Sequence, residues 1–493
     1  MPNLIEHLVF RAKLEPDSVA IKGPHRQLTF DQLLLLVRKI AGKLGQSGVR
    51  PGQVVVTSIA DKYLEWVFTL ALFHEATITC SNNGYSPIDA FDYDWMITDR
   101  KVDHFIAEKT IRFGNEWLRQ IQNQPHNAEA SDYDSVNRLV RLVLTSGTTG
   151  KRKAVAENLA QALQRGRNQA LVLGSYRQLS LLGLGTGMGF STAVSSLLTG
   201  QPMYCGRSNE EVISLIQKNS IESLNGSPQQ LSSLLRVLKE SDARLDNLRI
   251  LTSTGGPLSS KLRSEIESRF TRNVLNLYGS TEAGFVSVKK QFSQGEDFGI
   301  GHPLPGVDVQ IVGHDDLPLD SNQEGLIRIR TPYMAGGYFR NQEETTRFFR
   351  GGWFYPGDRG YIAEGGAIFL AGREGELINR GGVKIDPATI DQFLIGYPGI
   401  RDAAAFGLED EFGIQNLALA IVVEGAFELE PLRRALRDKF GKARSPARVF
   451  KLRQIPRTRT GKVLRLQLGE KLAEVLRKRQ ESKPQLARRL ESE

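Results

Sequence analysis

Residues 142–153 read LVLTSGTTGKRK, and this stretch decides the fold. Its first part, Leu142–Leu144, is apolar and β-rich, as a buried strand is. Its second part sets Thr145, Ser146, Gly147, Thr148, Thr149 and Gly150 ahead of Lys151 and Lys153. Glycines let backbone N–H groups turn toward one anion, hydroxyls add donors, and a lysine adds a point charge. A strand running into such a turn suits a polyphosphate. It is not a Walker A loop, which needs glycine at 145 and a hydroxyl residue at 152, where Thr145 and Arg152 stand. An ordinary polar loop is the plainer alternative. It accounts poorly for so many hydroxyls, glycines and lysines in nine residues.

Outward from this loop the chain alternates helical and strand patterns. LTFDQLLLLVRKIAGKLGQSGV (28–49) has helical apolar spacing and a glycine stop. PGQVVVTSIA reads as a turn into a buried strand. The apolar stretch from Tyr63 to Thr79 carries Glu65, His74 and Glu75 and reads as a buried helix followed by a strand. LVRLVLTS (139–146), LNLYGS (275–280) and IRIRT (327–331) are further strands. The alternation predicts an α/β architecture with largely parallel sheets. A boundary falls near GREGELINRGG (372–382), and the segments beyond it form a strand–helix–strand unit of about a hundred residues. QLGEKLAEVLRKRQ, near the end, is amphipathic, with Leu468, Leu472, Val475 and Leu476 on one face. It is expected to pack on its own domain.

Composition sets outer limits. A chain of 493 residues exceeds one ordinary core, so two or more domains are expected. With 40% apolar and 24% charged residues it is neither disordered nor fibrous. The N-terminal MPNLIEHLVFRAKLEP mixes charges into its apolar stretch, unlike a signal peptide, and no apolar run is long enough to span a membrane. Cys80 and Cys205 cannot build a disulfide framework. They fit buried thiols in a reducing, cytoplasmic setting. The net charge of +9 gathers toward the end of the chain. Without zinc-finger spacing or the aromatic RNA-binding signature, no nucleic-acid partner is expected. An anionic small molecule or an acidic protein fits that charge.

The loop resembles that of the adenylate-forming, AMP-binding enzymes: acyl-CoA synthetases, aryl-acid ligases, firefly-type luciferases and peptide-synthetase adenylation domains. In that family TSGTTG is followed by any residue and Pro-Lys-Gly. Here Arg152 replaces the proline, Ala154 replaces the second glycine, and AVAENLAQ lacks the following Ser/Thr-His pair. The resemblance continues in order through TSTGGPLSSKL (252–262), NLYGSTEAG (276–284), GLIRIRTPYMAGGYF (325–339), GGWFYPGDRGYI (351–362), GREGELINRGGVKIDP (372–387) and IPRTRTGKVLR (455–465). It implies a large N-terminal domain of α/β subdomains with packed sheets (1–373), a hinge (374–378) and a small mobile α+β C-terminal domain (379–493).

By this resemblance, Thr145 to Gly150 with Lys153 hold the phosphates of ATP. Gly255 and Gly256 lie beside adenine, Tyr278 with Gly279 stacks on it, and Thr281 bonds the α-phosphate. Glu282 holds magnesium, Asp358 the ribose, and Arg373 the ribose or α-phosphate. Pro356 takes the place of the usual threonine before Gly357 and Asp358. Glu376 is the hinge residue, Gly381 and Gly382 line a thiol tunnel, and Lys462 is the catalytic lysine. The implied reaction is attack of a carboxylate on ATP, giving acyl-AMP and pyrophosphate, followed by transfer to a thiol.

The acid is expected against Thr186, Gly187, Met188 and Ser280. No anion there would meet an α-ammonium, so an aryl or fatty acid is expected rather than an amino acid. Gly183, Gly185, Gly187 and Gly189 either leave room for a bulky acid or pack a turn on a helix. No carrier motif follows Lys462, so the thiol is expected in trans, from coenzyme A or the phosphopantetheine of a separate acidic carrier protein. The competing reading is a catalytically divergent nucleotide- or partner-binding protein on the same fold.

Overall fold

The computed structural model describes the whole chain except residues 1–2, 83–87, 89, 101–108, 126–129, 132, 134, 147–151, 241–243, 257, 259, 291–298, 374–375, 377, 381–382, 410–414, 441–444, 459–460 and 491–493. Local rules account for the first long helix, Phe30–Gln46. Thr29 caps it and Gln32 completes a capping box. Phe30, Leu33, Leu34, Val37, Ile40, Ala41 and Leu44 recur at helical spacing and are buried. Each of these side chains larger than alanine contributes about 1.5–3 kcal/mol by leaving water. The helix Lys62–His74 and the strand Ile78–Ser81 follow as the sequence pattern predicts.

Among the described residues the large lobe has three sheets. One six-stranded sheet runs 109–112, 95–98, 54–58, 78–81, 139–146, 152–158. Its central strand, Val54–Ser58, is buried at every position and parallel to both neighbours. That is why VVVTS shows no polar alternation. Leu139–Ser146 pairs antiparallel with Arg152–Asn158, so Thr145 and Ser146 stand at the end of the first of these strands. A nine-stranded sheet has a parallel centre, from Val274–Ser280 across to Val19–Lys22, and antiparallel edges.

The third sheet, built on Gly325–Arg330, is antiparallel throughout. The expectation of largely parallel sheets does not cover it. GLIRIR alternates between buried and half-exposed residues, the mark of a strand with one wet face.

The segment Ile378–Leu490 builds a second lobe. Strands Ile400–Glu409 and Gln415–Val423 pair antiparallel, and Arg448–Lys451 joins parallel. Ala403, Ala405, Leu419 and Ile421 face one apolar cluster, with Leu394, Leu432 and Leu436. Ala404, Phe406, Ala418 and Ala420 face the other, with Leu468 and Leu472 of the helix Arg465–Leu490. Leu476 continues this row at the four-residue step, whereas Val475 is 44% exposed. Val475 therefore leaves the face expected of it, because one residue off the row turns a side chain by about 100°. Among the described residues no helix is long and apolar enough to cross a membrane.

Candidate active site

The strand Val274–Ser280 ends in a bulge between Tyr278 and Gly279. A Cβ on Gly279 would lie 2.3 Å from the Gly284 carbonyl oxygen, so only glycine permits this turn. The Ser280 hydroxyl closes the turn by accepting the Ala283 N–H at 3.0 Å. Ser280 is half-buried and thus also serves the backbone. The Tyr278 hydroxyl donates to Asp358 Oδ2 at 2.5 Å, and Arg373 Nε donates to Asp358 Oδ1 at 2.6 Å. Asp358 and Arg373 are cross-strand partners, so the sheet register sets this contact.

Burial, reinforced by Asp358, raises the Tyr278 hydroxyl well above the usual phenol range, leaving it a neutral donor. Burial would lower Arg373, but Asp358 outweighs it and holds the guanidinium above its usual range. Asp358 is thereby held rigidly by two donors, with lone pairs left for a further donor such as a ribose hydroxyl.

Glu282 is buried, and its Oε1 accepts the Tyr338 hydroxyl at 2.9 Å. Magnesium is commonly bound through one or two carboxylates plus nucleotide phosphates, and a single anchored carboxylate fits that mode. Among the described residues no group of three or more His, Cys, Asp or Glu could make an all-protein cage. Lys153 departs from its expected role on the phosphates. It is buried and ion-paired with Glu344, and its ammonium lies 3.8 Å from the Phe348 ring centre. Backbone alternation along Arg152–Asn158 turns it into that apolar, acidic corner.

Lys462 reaches the large lobe from the second. Its Nζ lies 3.0 Å from Glu376 Oε1, and it also senses the charges of Arg373 and Asp358. Burial is the main cause lowering its pKa. Arg373 adds to this and Glu376 opposes it. Glu376 also pairs with Arg465 at 3.3 Å, and Arg465 with Asp391 at 2.7 Å. The adjoining Gly461 has φ +88°, and a Cβ there would meet Gln229 Oε1 of the large lobe at 2.7 Å. The lysine-bearing loop is therefore docked on the large lobe.

The expected acid wall is rearranged. Thr186 caps the helix Gly187–Thr199: its hydroxyl donates to the Gly183 carbonyl at 2.8 Å and accepts the Gly189 N–H at 3.0 Å. Met188 is buried among Leu173, Leu182 and Leu277. The Met188 side chain is not free to line a pocket, whereas Thr186 is half-buried at the helix entrance. A Cβ on Gly189 would lie 2.1 Å from the Gly183 carbonyl oxygen, so this glycine packs the turn on the helix, whereas Gly187 opens onto space. Gly255, at φ +83°, and Gly256 are exposed at the end of Ile250–Thr254. Thr145 is half-buried, and nothing is described of the Ser146 side chain. Gly147, Thr148, Thr149, Gly150, Gly381 and Gly382 lie outside the described residues.

Three residues that the sequence reading passed over lie behind the site. Arg141 and Glu157 are cross-strand partners, and Arg165 follows on the helix Leu159–Leu173. All three are buried. The available signal was a charge set inside each apolar strand, as in LVRLVLTS.

Fold and site define a class: two-lobed α/β nucleotide-handling enzymes in which the second lobe lends a cation to the first. Within it, the chain belongs to the AMP-binding enzyme family. That family matches residues 9–339, and the AMP-binding enzyme C-terminal domain matches residues 389–462. A similar relative is the 2-succinylbenzoate–CoA ligase of Geobacillus kaustophilus, 26% identical over 485 residues, covering 95% of this chain and 97% of the relative. Among solved structures, O-succinylbenzoate coenzyme A synthetase from Bacillus subtilis, in complex with ATP and a magnesium ion, superposes with TM-score 0.85 at 24% identity. That match covers 95% of this chain and 99% of the other. ATP-bound MatB from Rhodopseudomonas palustris gives 0.84 at 21% identity, covering 96% and 99%.

Proposed function

We propose that this chain is an AMP-forming acid–thiol ligase. It activates an aryl or related apolar carboxylic acid with ATP and passes the acyl group to coenzyme A. The observation that carries this reading is the docking of Lys462 beside the Asp358–Arg373 pair. A carboxylate oxygen is a poor leaving group, and attack on the α-phosphorus makes it part of AMP. Two anions must approach, so charge compensation and alignment are the main tasks left to the protein.

Lys462, released from Glu376, bridges the carboxylate and the α-phosphate. Asp358 takes the ribose hydroxyls, Tyr278 the adenine face, and Thr281 the α-phosphate. Glu282, oriented by Tyr338, holds magnesium, which supplies charge neutralisation to the phosphates. The second lobe then swings about residues 374–378, withdrawing the lysine and opening the site to the thiol. The acid wall, lacking an anion for an α-ammonium, supports an aryl acid over an amino acid. The named activity of the relatives makes 2-succinylbenzoate the first acid to test and coenzyme A the first thiol.

Acid-dependent exchange of labelled pyrophosphate into ATP tests the first half-reaction across aryl, fatty and short acids. Lys462→Ala should abolish exchange yet spare thiolation of supplied acyl-AMP. Equal loss of both would remove Lys462 from its role. Magnesium–ATP binding without exchange on any acid would favour the catalytically divergent reading.

A further inference from the structure

Behind the site, one carboxylate holds two guanidinium groups, and each guanidinium holds a different wall. Glu157 Oε2 accepts Arg141 Nη1 at 2.7 Å, and Glu157 Oε1 lies 3.0 Å from Arg165 Nη1. Arg141 Nη2 donates to the carbonyls of Leu184 and Thr186 at 2.6 and 3.1 Å, and its guanidinium lies 4.0 Å from the Phe190 ring centre. Those carbonyls belong to the turn entering the helix Gly187–Thr199, on the acid side. Arg165 donates to the carbonyls of Thr281 at 2.9 Å and Glu282 at 3.1 Å, and its Nε donates to that of Tyr333 at 3.2 Å. The first two belong to the phosphate and magnesium side. The three side chains are 3%, 1% and 4% exposed.

Two buried cations share one buried anion, so one positive charge is left to backbone carbonyls. A buried charge without such partners is strongly disfavoured, so displacing either turn strands a guanidinium. Besides the shared carboxylate, Arg141 reaches two carbonyls and Arg165 three, fixed geometries that a lysine's point charge cannot reproduce. The strand carrying Arg141 also carries Thr145 and Ser146.

We propose that Arg141, Glu157 and Arg165 are positioning residues that hold the acid wall and the nucleotide wall in register. In this division Arg141 sets affinity for the acid, Arg165 sets affinity for magnesium–ATP, and Glu157 couples the two. The inference rests on the acid-activating reading above.

The test is pyrophosphate exchange by full-length Arg141→Lys, Arg165→Lys and Glu157→Gln, with KM measured separately for magnesium–ATP and for 2-succinylbenzoate, or for whichever acid the wild type exchanges fastest. Arg141→Lys should raise the acid KM about tenfold and leave that of magnesium–ATP within about twofold, the size of losing one or two such hydrogen bonds. Arg165→Lys should do the reverse, and Glu157→Gln should raise both. KM does not depend on the folded fraction, so partial misfolding does not imitate this split. If Arg165→Lys fails to fold, Arg141→Lys carries the test alone. Variants that lower only the active fraction or the thermal midpoint, or single arginine variants that shift both KM values equally, would overturn the proposal.

A wild type that exchanges with no acid would instead overturn the acid-activating reading. Calorimetry with magnesium–ATP then still separates Arg165→Lys, expected about tenfold weaker, from Arg141→Lys, expected unchanged. Equal affinities would end the proposal.

Discussion

Tyr278→Phe keeps the aromatic face and removes one oxygen. That oxygen makes a 2.5 Å hydrogen bond to Asp358, a buried carboxylate whose other oxygen stays with Arg373. A hydrogen bond to a charged group contributes about 1.5–3 kcal/mol, or about ten- to a hundredfold in affinity. Because Arg373 still anchors one side, the loss appears as a loosened carboxylate rather than a collapsed site. A ribose contact acts before and during reaction alike, so the KM for magnesium–ATP should rise by that factor while kcat changes little. The assay is pyrophosphate exchange with ATP varied at saturating acid, alongside a thermal melt. Since the hydroxyl is neutral throughout the working range, the effect should not vary between about pH 6 and 9. An unchanged KM in a well-folded variant, or a fall in kcat alone, would refute the assignment of Asp358 to the nucleotide.

Three further outcomes follow from the packing. Burial pushes the Glu65 carboxyl up to about 7, against its Ser81 hydrogen bond. A carboxyl raised above its unfolded value contributes stability that is full below about pH 4.5 and is lost as pH rises through 7, here about 3 kcal/mol at most. Urea denaturation of Glu65→Gln should lose this decline; an unchanged slope would place its cause elsewhere. Gly279→Ala must push Cβ against the Gly284 carbonyl and should cost about 1–3 kcal/mol with loss of exchange, whereas Gly256→Ala should melt like wild type. Lys153→Met takes the ion partner from Glu344 Oε2, leaving only the exposed Arg347 at 3.5 Å from Oε1, and should destabilise by about 3 kcal/mol, with Glu344→Gln in the same chain restoring most of it. Magnesium–ATP affinity in that double variant should stay within about threefold; a larger loss would return the Lys153 ammonium to the phosphates.

Local pattern was legible wherever one residue's conformation or one face's periodicity decided the matter. The cap at Thr29, the fully buried VVVTS strand and the helix after Asp61 need only near neighbours, so sequence alone determined them. It also determined the ordered motifs that mark an adenylate-forming enzyme. What a side chain does inside a motif was decided only by tertiary structure. Lys153 looked like a phosphate ligand until Glu344 and Phe348, brought from another part of the chain, enclosed it. Met188 looked like a pocket residue until the helix Gly187–Thr199 turned it into the core. The Arg141–Glu157–Arg165 cluster joins turns that stand far apart in the chain, at Leu184 and at Glu282. Sequence supplies the charges, but only the packed lobes determine which carbonyls face them, because burial leaves each guanidinium no water to turn to.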